Sequence, residues 1–448
     1  MFALGGCGGS DTLTGTGGSS GLGGASGVAG GPPGTGGALA SGGMGGAAGM
    51  RGLGGNGGTG GGAVVGPFGN NVDILMMIDN SSSMTLMQQK LTAQLPTFIL
   101  SLQSLPTPPN LHLAVVSSDL GAPGDLTASI GCTAQGDQGD FQFMPRGTCT
   151  NTTLAANATF ISDVNMMPNY TDSSLGDVVQ CISLLGDRGC GFEHQLGSID
   201  RALGADGLGP MPTTNAGFLR PNAYLVILIL TNEDDCSAPP DTTIYSLGNF
   251  MQNISNPDGP IANYRCNGGP RGAHLCQDPH AANPTALIVP PLTPPGDAQG
   301  PATMPTLDLT ACQDNETGTS ALTSVSRFVA DVKALKADPD NEILVAAIAG
   351  PTVPYTVSWV PAQAGQNTTA GELWPQIEHS CGPSSFNDVN PEATQLTTDQ
   401  SFGDPAVRIT QFTSAFHNNV LGSICAASFA PTMNAIAAQI GQLIASGR

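Results

Sequence analysis

The chain has 448 residues, and its 13 Lys plus Arg stand against 34 Asp plus Glu, a net charge of −21. A field of that sign repels phosphate backbones and anionic lipid, which argues against nucleic acid and bare membrane surfaces as partners. Charged residues make up only 10% of the chain while Gly (62) and Pro (35) are abundant, a composition suited to a soluble exported protein.

Of the 62 glycines, 31 fall in the first 70 residues, a stretch with almost no charge and few large apolar side chains. Such a stretch buries too little surface to offset backbone ordering. Residues 8–70 therefore read as a disordered Gly-rich tether, spanning roughly 45 Å if it behaves as a Gly/Ser coil. Ahead of it, Leu4-Gly5-Gly6-Cys7 has the pattern of a bacterial lipobox. On that reading residues 1–7 are the remnant of a signal peptide and Cys7 carries the lipid. No apolar run is long enough to span a bilayer. The expectation is an exported protein, secreted or held by lipid on the cell envelope, the outer membrane first, with no other membrane contact.

Beyond the tether, four apolar runs read as strands: "VDILMMID" (72–79), "LHLAVVSSD" (111–119), "AYLVILILT" (223–231) and "EILVAAIAG" (342–350). Each is nearly continuous in apolar residues rather than alternating, as strands buried on both faces are. Helical patterns lie between and after them, at 82–103, 191–203, 320–338, 405–419 and 430–447. Pro96 should kink or interrupt the first. The third puts Val325, Phe328, Val329, Val332 and Leu335 on one face. This alternation predicts an α/β fold, a doubly wound, mainly parallel sheet flanked by helices, over 71–448. Three stretches, at about 120–175, 236–318 and 351–404, break the pattern and read as long cross-linked surface insertions.

Ten cysteines follow Cys7, at 132, 149, 181, 190, 236, 266, 276, 312, 381 and 425. An even count in an exported chain reads as disulfides. The shortest loops make Cys132–Cys149, Cys181–Cys190 and Cys266–Cys276 the easiest pairs to close. Cys266, His274, Cys276 and His280 lack the spacing of a zinc finger, and a disulfide is the expected use of the two cysteines. His194 is expected on a helix surface.

The first apolar run stops at Asp79 and is followed by "NSSSM" (80–84). In open α/β sheets ligands bind outside the carboxyl ends of the strands. Asp79, Ser81 and Ser83 there offer hard oxygen ligands of the kind a divalent cation such as Mg²⁺ prefers. The bland use of the same residues is to cap the helix that follows. No Gly-x-Ser-x-Gly elbow, His-Glu-x-x-His helix or P-loop occurs, so no enzyme is expected. A hydrolase with its site in an insertion is the remote alternative.

"DNSSSM" (79–84) matches the Asp-x-Ser-x-Ser segment of the metal-ion-dependent adhesion site (MIDAS), and at these residues the chain resembles the von Willebrand factor A (VWA) family. Closer still, "NEDDCS" (232–237), "GCGFEHQL" (189–196), "DPDNEILVAAIAGP" (338–351), "HSC" (379–381), "DPAVRITQF" (404–412) and "SICAASFAPTMNAIA" (423–437) resemble VWA-type lipoproteins of myxobacteria and their relatives. The resemblance covers about residues 70–445. It implies a Rossmann-like sandwich with a Mg²⁺ or Mn²⁺ ion on its upper rim, completed by a carboxylate of a bound protein or glycan partner. It also implies an adhesion-type binding module of the envelope; a metal-free structural scaffold is the alternative. Two positions depart from the family pattern. Its usual Thr-Asp is Thr231-Asn232 here, and the position of its second threonine holds Cys190. Asn232 still offers a carbonyl oxygen, and Asp119, Glu193 or Asp234 are the candidates to supply the missing charge.

Overall fold

A computed structural model describes residues 68–122, 132–146, 153–171, 173–240, 242–245, 262–361, 372–382 and 401–447. Cys7, Cys149 and all of the Gly-rich segment before Phe68 lie outside them. In chain order the strands are β1 (Asn71–Ile78), β2 (Asn110–Ser117), β3 (Thr153–Leu154), β4 (Ile161–Val164), β5 (Met167–Pro168), β6 (Tyr170–Thr171), β7 (Tyr224–Leu230), β8 (His274–Gln277), β9 (Leu287–Ile288), β10 (Thr306–Asp314), β11 (Ile343–Ala349), β12 (Tyr355–Pro361), β13 (Leu373–Ile377) and β14 (Asn418–Ser423). The helices are α1 (Thr85–Gln103), α2 (Leu175–Ile182), α3 (Gln195–Leu203), α4 (Ala262–Asn267), α5 (Val325–Lys333), α6 (Pro339–Glu342), α7 (Val407–Ser414) and α8 (Ala430–Ala445).

The main sheet has seven strands in the order β14-β11-β7-β1-β2-β4-β5. The first five run parallel, and β4 and β5 are antiparallel additions at one edge. The four predicted apolar runs are its contiguous centre, β11-β7-β1-β2. Every residue of β7 and β11 is buried, which is why their sequences show no alternation. Side chains of β1 alternate between two cores. Val72, Ile74, Met76 and Ile78 pack with α1, α2 and α8, while Leu75 and Met77 pack with α3, α5 and α7. Asp73, on the second face, is buried and bonded to Arg220, its Oδ1 lying 2.7 Å from Nε.

Several boundaries differ from the sequence-based expectation. Pro96 does not interrupt α1, which runs on through it. It instead forms a flat contact for α2, where a Cβ on Gly176 would lie 2.9 Å from Pro96 Cα. The pattern at 405–419 is helical only over Val407–Ser414, and Asn418–Ser423 forms the edge strand β14. That strand is half-buried at best and carries little apolar signal; its pairing with β11 makes it a strand. The insertions at 236–318 and 351–404 are more than surface loops. They build a second, antiparallel sheet in the order β13-β12-β10-β8-β9, around Leu307, Leu309, Tyr355, Val357, Trp359 and Ile377.

All three short-loop disulfide pairings are overturned. The bridges are Cys132–Cys190, Cys236–Cys266, Cys276–Cys312 and Cys381–Cys425, and Cys181 is disulfide-bonded as well. Loop-closure cost rises by only about 0.6 kcal/mol per doubling of length, so which cysteines the sheets bring together outweighs which are near in sequence. Cys276–Cys312 joins β8 to β10, for example, across 36 residues. The ring nitrogens of His274, between Cys266 and Cys276, bond Asp234 (2.8 Å) and Tyr355 (2.7 Å).

Candidate functional site at the carboxyl rim of the sheet

The register of the parallel strands builds the site. Ile78 of β1 stands beside Ser117 of β2 and Leu230 of β7. The next residue of each strand, Asp79, Ser118 and Thr231, therefore reaches the rim at one level. The Asp79 carboxylate is fully buried and sits between the other two. Ser118 Oγ donates to Oδ1 (3.1 Å), Thr231 Oγ1 donates to Oδ2 (2.8 Å), and the Ser81 amide donates to Oδ1 (2.8 Å). Burial raises the Asp79 pKa, and these hydrogen bonds pull it part of the way back.

The turn that follows presents the serines. Ser81 Oγ lies 3.3 Å from Ser83 Oγ, and Ser83 Oγ donates to Asn232 Oδ1 at 3.1 Å. Neither hydroxyl caps α1, whose N-cap residue is Met84 with no side-chain cap bond. Asn232 is fully buried, its Oδ1 turned to Ser83 and its Nδ2 without a hydrogen-bond partner. Ser81, Ser83 and Asn232 thus converge in front of Asp79, an all-oxygen set suited to a hard cation. Among the described residues no group of three or more His, Cys, Asp or Glu side chains is placed to hold a metal, so a cation here would rest on hydroxyl and amide oxygens.

Of the candidates for added charge, Glu193 is the one near this set. Its carboxyl hydrogen-bonds that of Glu233, both are buried, and both feel the charge of Asp79. Desolvation raises each; Glu233 is pushed up to about 8, with Asp404 adding to the effect. Glu193 Oε1 has no hydrogen-bond partner. Asp119 is elsewhere, accepting from the Gly121 amide at 2.8 Å. Asp234 is also spent: it accepts from the Arg408 and Ile409 amides at the start of α7 (2.8 and 3.1 Å) and pairs with His274. Cys190 is bonded to Cys132, which leaves it no thiolate to offer. His194 is not a surface residue: it is buried, with Nε2 2.8 Å from Gly121 O.

Sequence reasoning missed Ser118, and it met Thr231 only as half of the family's Thr-Asp pair, without its bond to Asp79. The signal for both was present: Thr231 is the first polar residue after its apolar run and Ser118 the second after its own, level with Asp79. Gln195 was also missed; its Nε2 donates to Thr231 Oγ1 at 2.8 Å and holds that hydroxyl toward Asp79.

The buried carboxyls predict an inverted pH dependence. Raised in the folded state, they bind protons that the unfolded chain has released, so stability falls as pH rises from above 4.5 toward about 8 for Glu233. His194, lowered to about 4 by burial, works the opposite way below the ordinary imidazole value of 6.5. The carboxyl effect is therefore cleanest between pH 6.5 and 8. Across that window Tm is expected to fall by roughly 5 °C or more, and Glu193→Gln should shrink the fall. A flat or rising profile in scanning calorimetry would refute this account of the pair.

No known family pattern matches the chain, and no curated protein matches it. Solved structures with a partial likeness include proximal thread matrix protein 1 from the mussel byssus (11% identity, TM-score 0.22, 38% of this chain and 33% of that one). The pilus adhesin SpaC from Lactobacillus rhamnosus GG matches at 11% identity and TM-score 0.31, over 84% of this chain and 30% of that one. The vWF domain of the type V pili tip protein Mfa5 from Porphyromonas gingivalis matches at 14% identity and TM-score 0.19, over 43% of this chain and 48% of that one. The chain thus spans less than half the length of each, and at these scores none carries an argument about function.

Proposed function

We propose that the chain is a VWA-type binding module. On this reading its rim holds Mg²⁺ or Mn²⁺ on Ser81, Ser83 and Asn232, with Asp79 behind them. The observation that supports it best is the junction of Ser83 Oγ with Asn232 Oδ1 at 3.1 Å, formed by serines that do no capping work. When bound, such an ion supplies a positive point that a carboxylate of a protein or glycan partner can complete. The chain's own residues do the rest. Thr231, Ser118 and the Ser81 amide fix the Asp79 carboxylate, and Asn232 and Ser83 orient each other. The buried Glu193–Glu233 pair lies beside the set, its ionisation opposed by burial and by the charge of Asp79. The disulfides suit an oxidising compartment, in keeping with export. Attachment by lipid at Cys7 belongs to the same proposal, as does the absence of enzymatic activity.

Calorimetric titration of Mg²⁺ and Mn²⁺ into the full chain tests it. The wild type is expected to bind, Ser83→Ala to bind about tenfold more weakly, and Asn232→Asp to bind about tenfold more tightly, because ligand charge sets affinity at such sites. No binding by the wild type, or equal binding by Ser83→Ala, would overturn the metal reading. A metal-free scaffold is favoured by the neutral Asn232 and the disulfide-bonded Cys190. It predicts that EDTA changes neither melting temperature nor capture of any partner.

A further inference from the structure

A cavity of about 790 Å³ lies between α3 and α5 and is lined as well by the segments after β2 and β7. That size is within the usual range of small-molecule sites. Its apolar wall includes Leu120, Leu208, Pro239, Pro240 and Phe328. Among the described residues that line it, none belongs to the rim set Asp79, Ser81, Ser83 and Asn232.

Five charged groups line it: Asp200, Arg201, Asp206, Arg327 and Asp331. Two ion pairs account for four of them. Arg201 Nη1 is 3.5 Å from Asp206 Oδ2, and Arg327 Nε bonds Asp331. Asp200 belongs to neither pair, though it feels the charge of Arg327. It is 2% exposed, and its Oδ1 has no hydrogen-bond partner. A buried carboxyl oxygen without a hydrogen-bond partner is costly, and each such atom calls for a reason. A divalent metal would require several oxygens around it, and the other two carboxylates already hold arginines. A single ammonium needs one carboxylate and an apolar channel for its stem.

We propose that this cavity binds a primary alkyl ammonium, its head paired with Asp200 and its stem lying along Leu208, Pro239 and Phe328. A free alkylamine and a lysine side chain share this chemistry. The site has a built-in pH signature. Burial, with Asp331, Asp206 and Asp235 adding to it against Arg327, pushes the Asp200 carboxyl up to about 8. His194, which also lines the cavity, is neutral above about 4. An ammonium therefore meets a neutral acid at pH 6.5 and a carboxylate at pH 9, while the amine itself remains protonated to about pH 10.

The test is titration of n-hexylamine, 1-hexanol and Nα-acetyl-lysine-N-methylamide into the full chain at pH 6.5 and pH 9, followed by calorimetry. Wild type is expected to bind hexylamine about tenfold more tightly than hexanol at pH 9, with most of that margin lost at pH 6.5. Asp200→Asn should bind hexylamine about tenfold more weakly than wild type at pH 9, with an unchanged melting temperature to show that it folds. Binding of the lysine derivative as well as hexylamine identifies a protein side chain as a possible guest; binding of hexylamine alone identifies a small amine, and either supports the proposal. Equal affinity for hexylamine and hexanol at pH 9 overturns it, as does equal binding by a folded Asp200→Asn. The wild-type pH comparison stands even if the variant fails to fold.

Discussion

Replacing Arg408 by methionine is expected to destabilise the domain by about 3–5 kcal/mol, the typical result of breaking a buried ion pair from one side. Arg408 is fully buried at the start of α7. Its Nη2 donates to Asp235 Oδ2 at 2.9 Å and to Thr323 O at 2.6 Å, and Nη1 bonds Asp314. Asp314 in turn accepts from the Val325 amide at 2.9 Å, and Asp235 accepts from the Leu196 amide at 2.8 Å. One guanidinium thus ties together the exit of β7, the end of β10 and the entries to α3, α5 and α7. Methionine fills much of the volume but leaves two carboxylates buried without a cation. Burial already raises the Asp314 pKa, which the arginine opposes. The loss should therefore be smaller at pH 5, where Asp314 can take up a proton, than at pH 8. Urea unfolding at both pH values measures this; a loss below about 1 kcal/mol at pH 8 would show that the carboxylates find other partners.

The second large effect is expected from Cys132→Ser/Cys190→Ser. The bridge closes a span of 58 residues, and freeing it should cost about 4 kcal/mol on the chain-entropy account. It also holds the loop that leads to Glu193. The Gly189 amide donates to Asn80 O at 2.7 Å, and a Cβ on Gly189 would lie 2.2 Å from Asn80 Oδ1. A side chain at Gly189 would have to displace that of Asn80, which stands next to Ser81. Loss of the bridge is therefore expected to weaken Mg²⁺ binding as well as stability. Guanidinium unfolding under non-reducing conditions, paired with the calorimetric titration, separates the two. A stability change within 1 kcal/mol of zero would mean that the loop is held by its packing alone.

Part of the candidate site was readable before any coordinates. Asp79, Ser81 and Ser83 form one short segment after one apolar run, and Asn232 follows another, so strand ends alone predict that they share a rim. The carboxylates of "NEDD" were not readable in this way. Glu233, Asp234 and Asp235 are consecutive, yet one faces Glu193, one caps α7 and one pairs with Arg408. Neighbouring residues on an irregular segment point in different directions, and no periodicity reports which. His194 was misjudged for a related reason. The helix it was assigned to begins at Gln195, so His194 lies in the approach to α3 and turns inward to Gly121 and Tyr245.

By itself the sequence determined the α/β class and the four central strands, because strands buried on both faces must be apolar along their whole length. It determined the helical faces of α5 and the oxygen-rich turn at Asp79 for the same local reasons. The disulfide pairing, the edge strand β14 and the antiparallel sheet built from the insertions were decided only in three dimensions. Cysteines pair where two sheets and their loops bring Cβ atoms together, at a closure cost that hardly distinguishes near from far along the chain. Short half-buried strands are strands only because a neighbour supplies their hydrogen bonds. The tertiary structure likewise decided that the serines at the rim face Asn232 rather than the end of α1, since the register of β1 with β7 sets which side chains meet there.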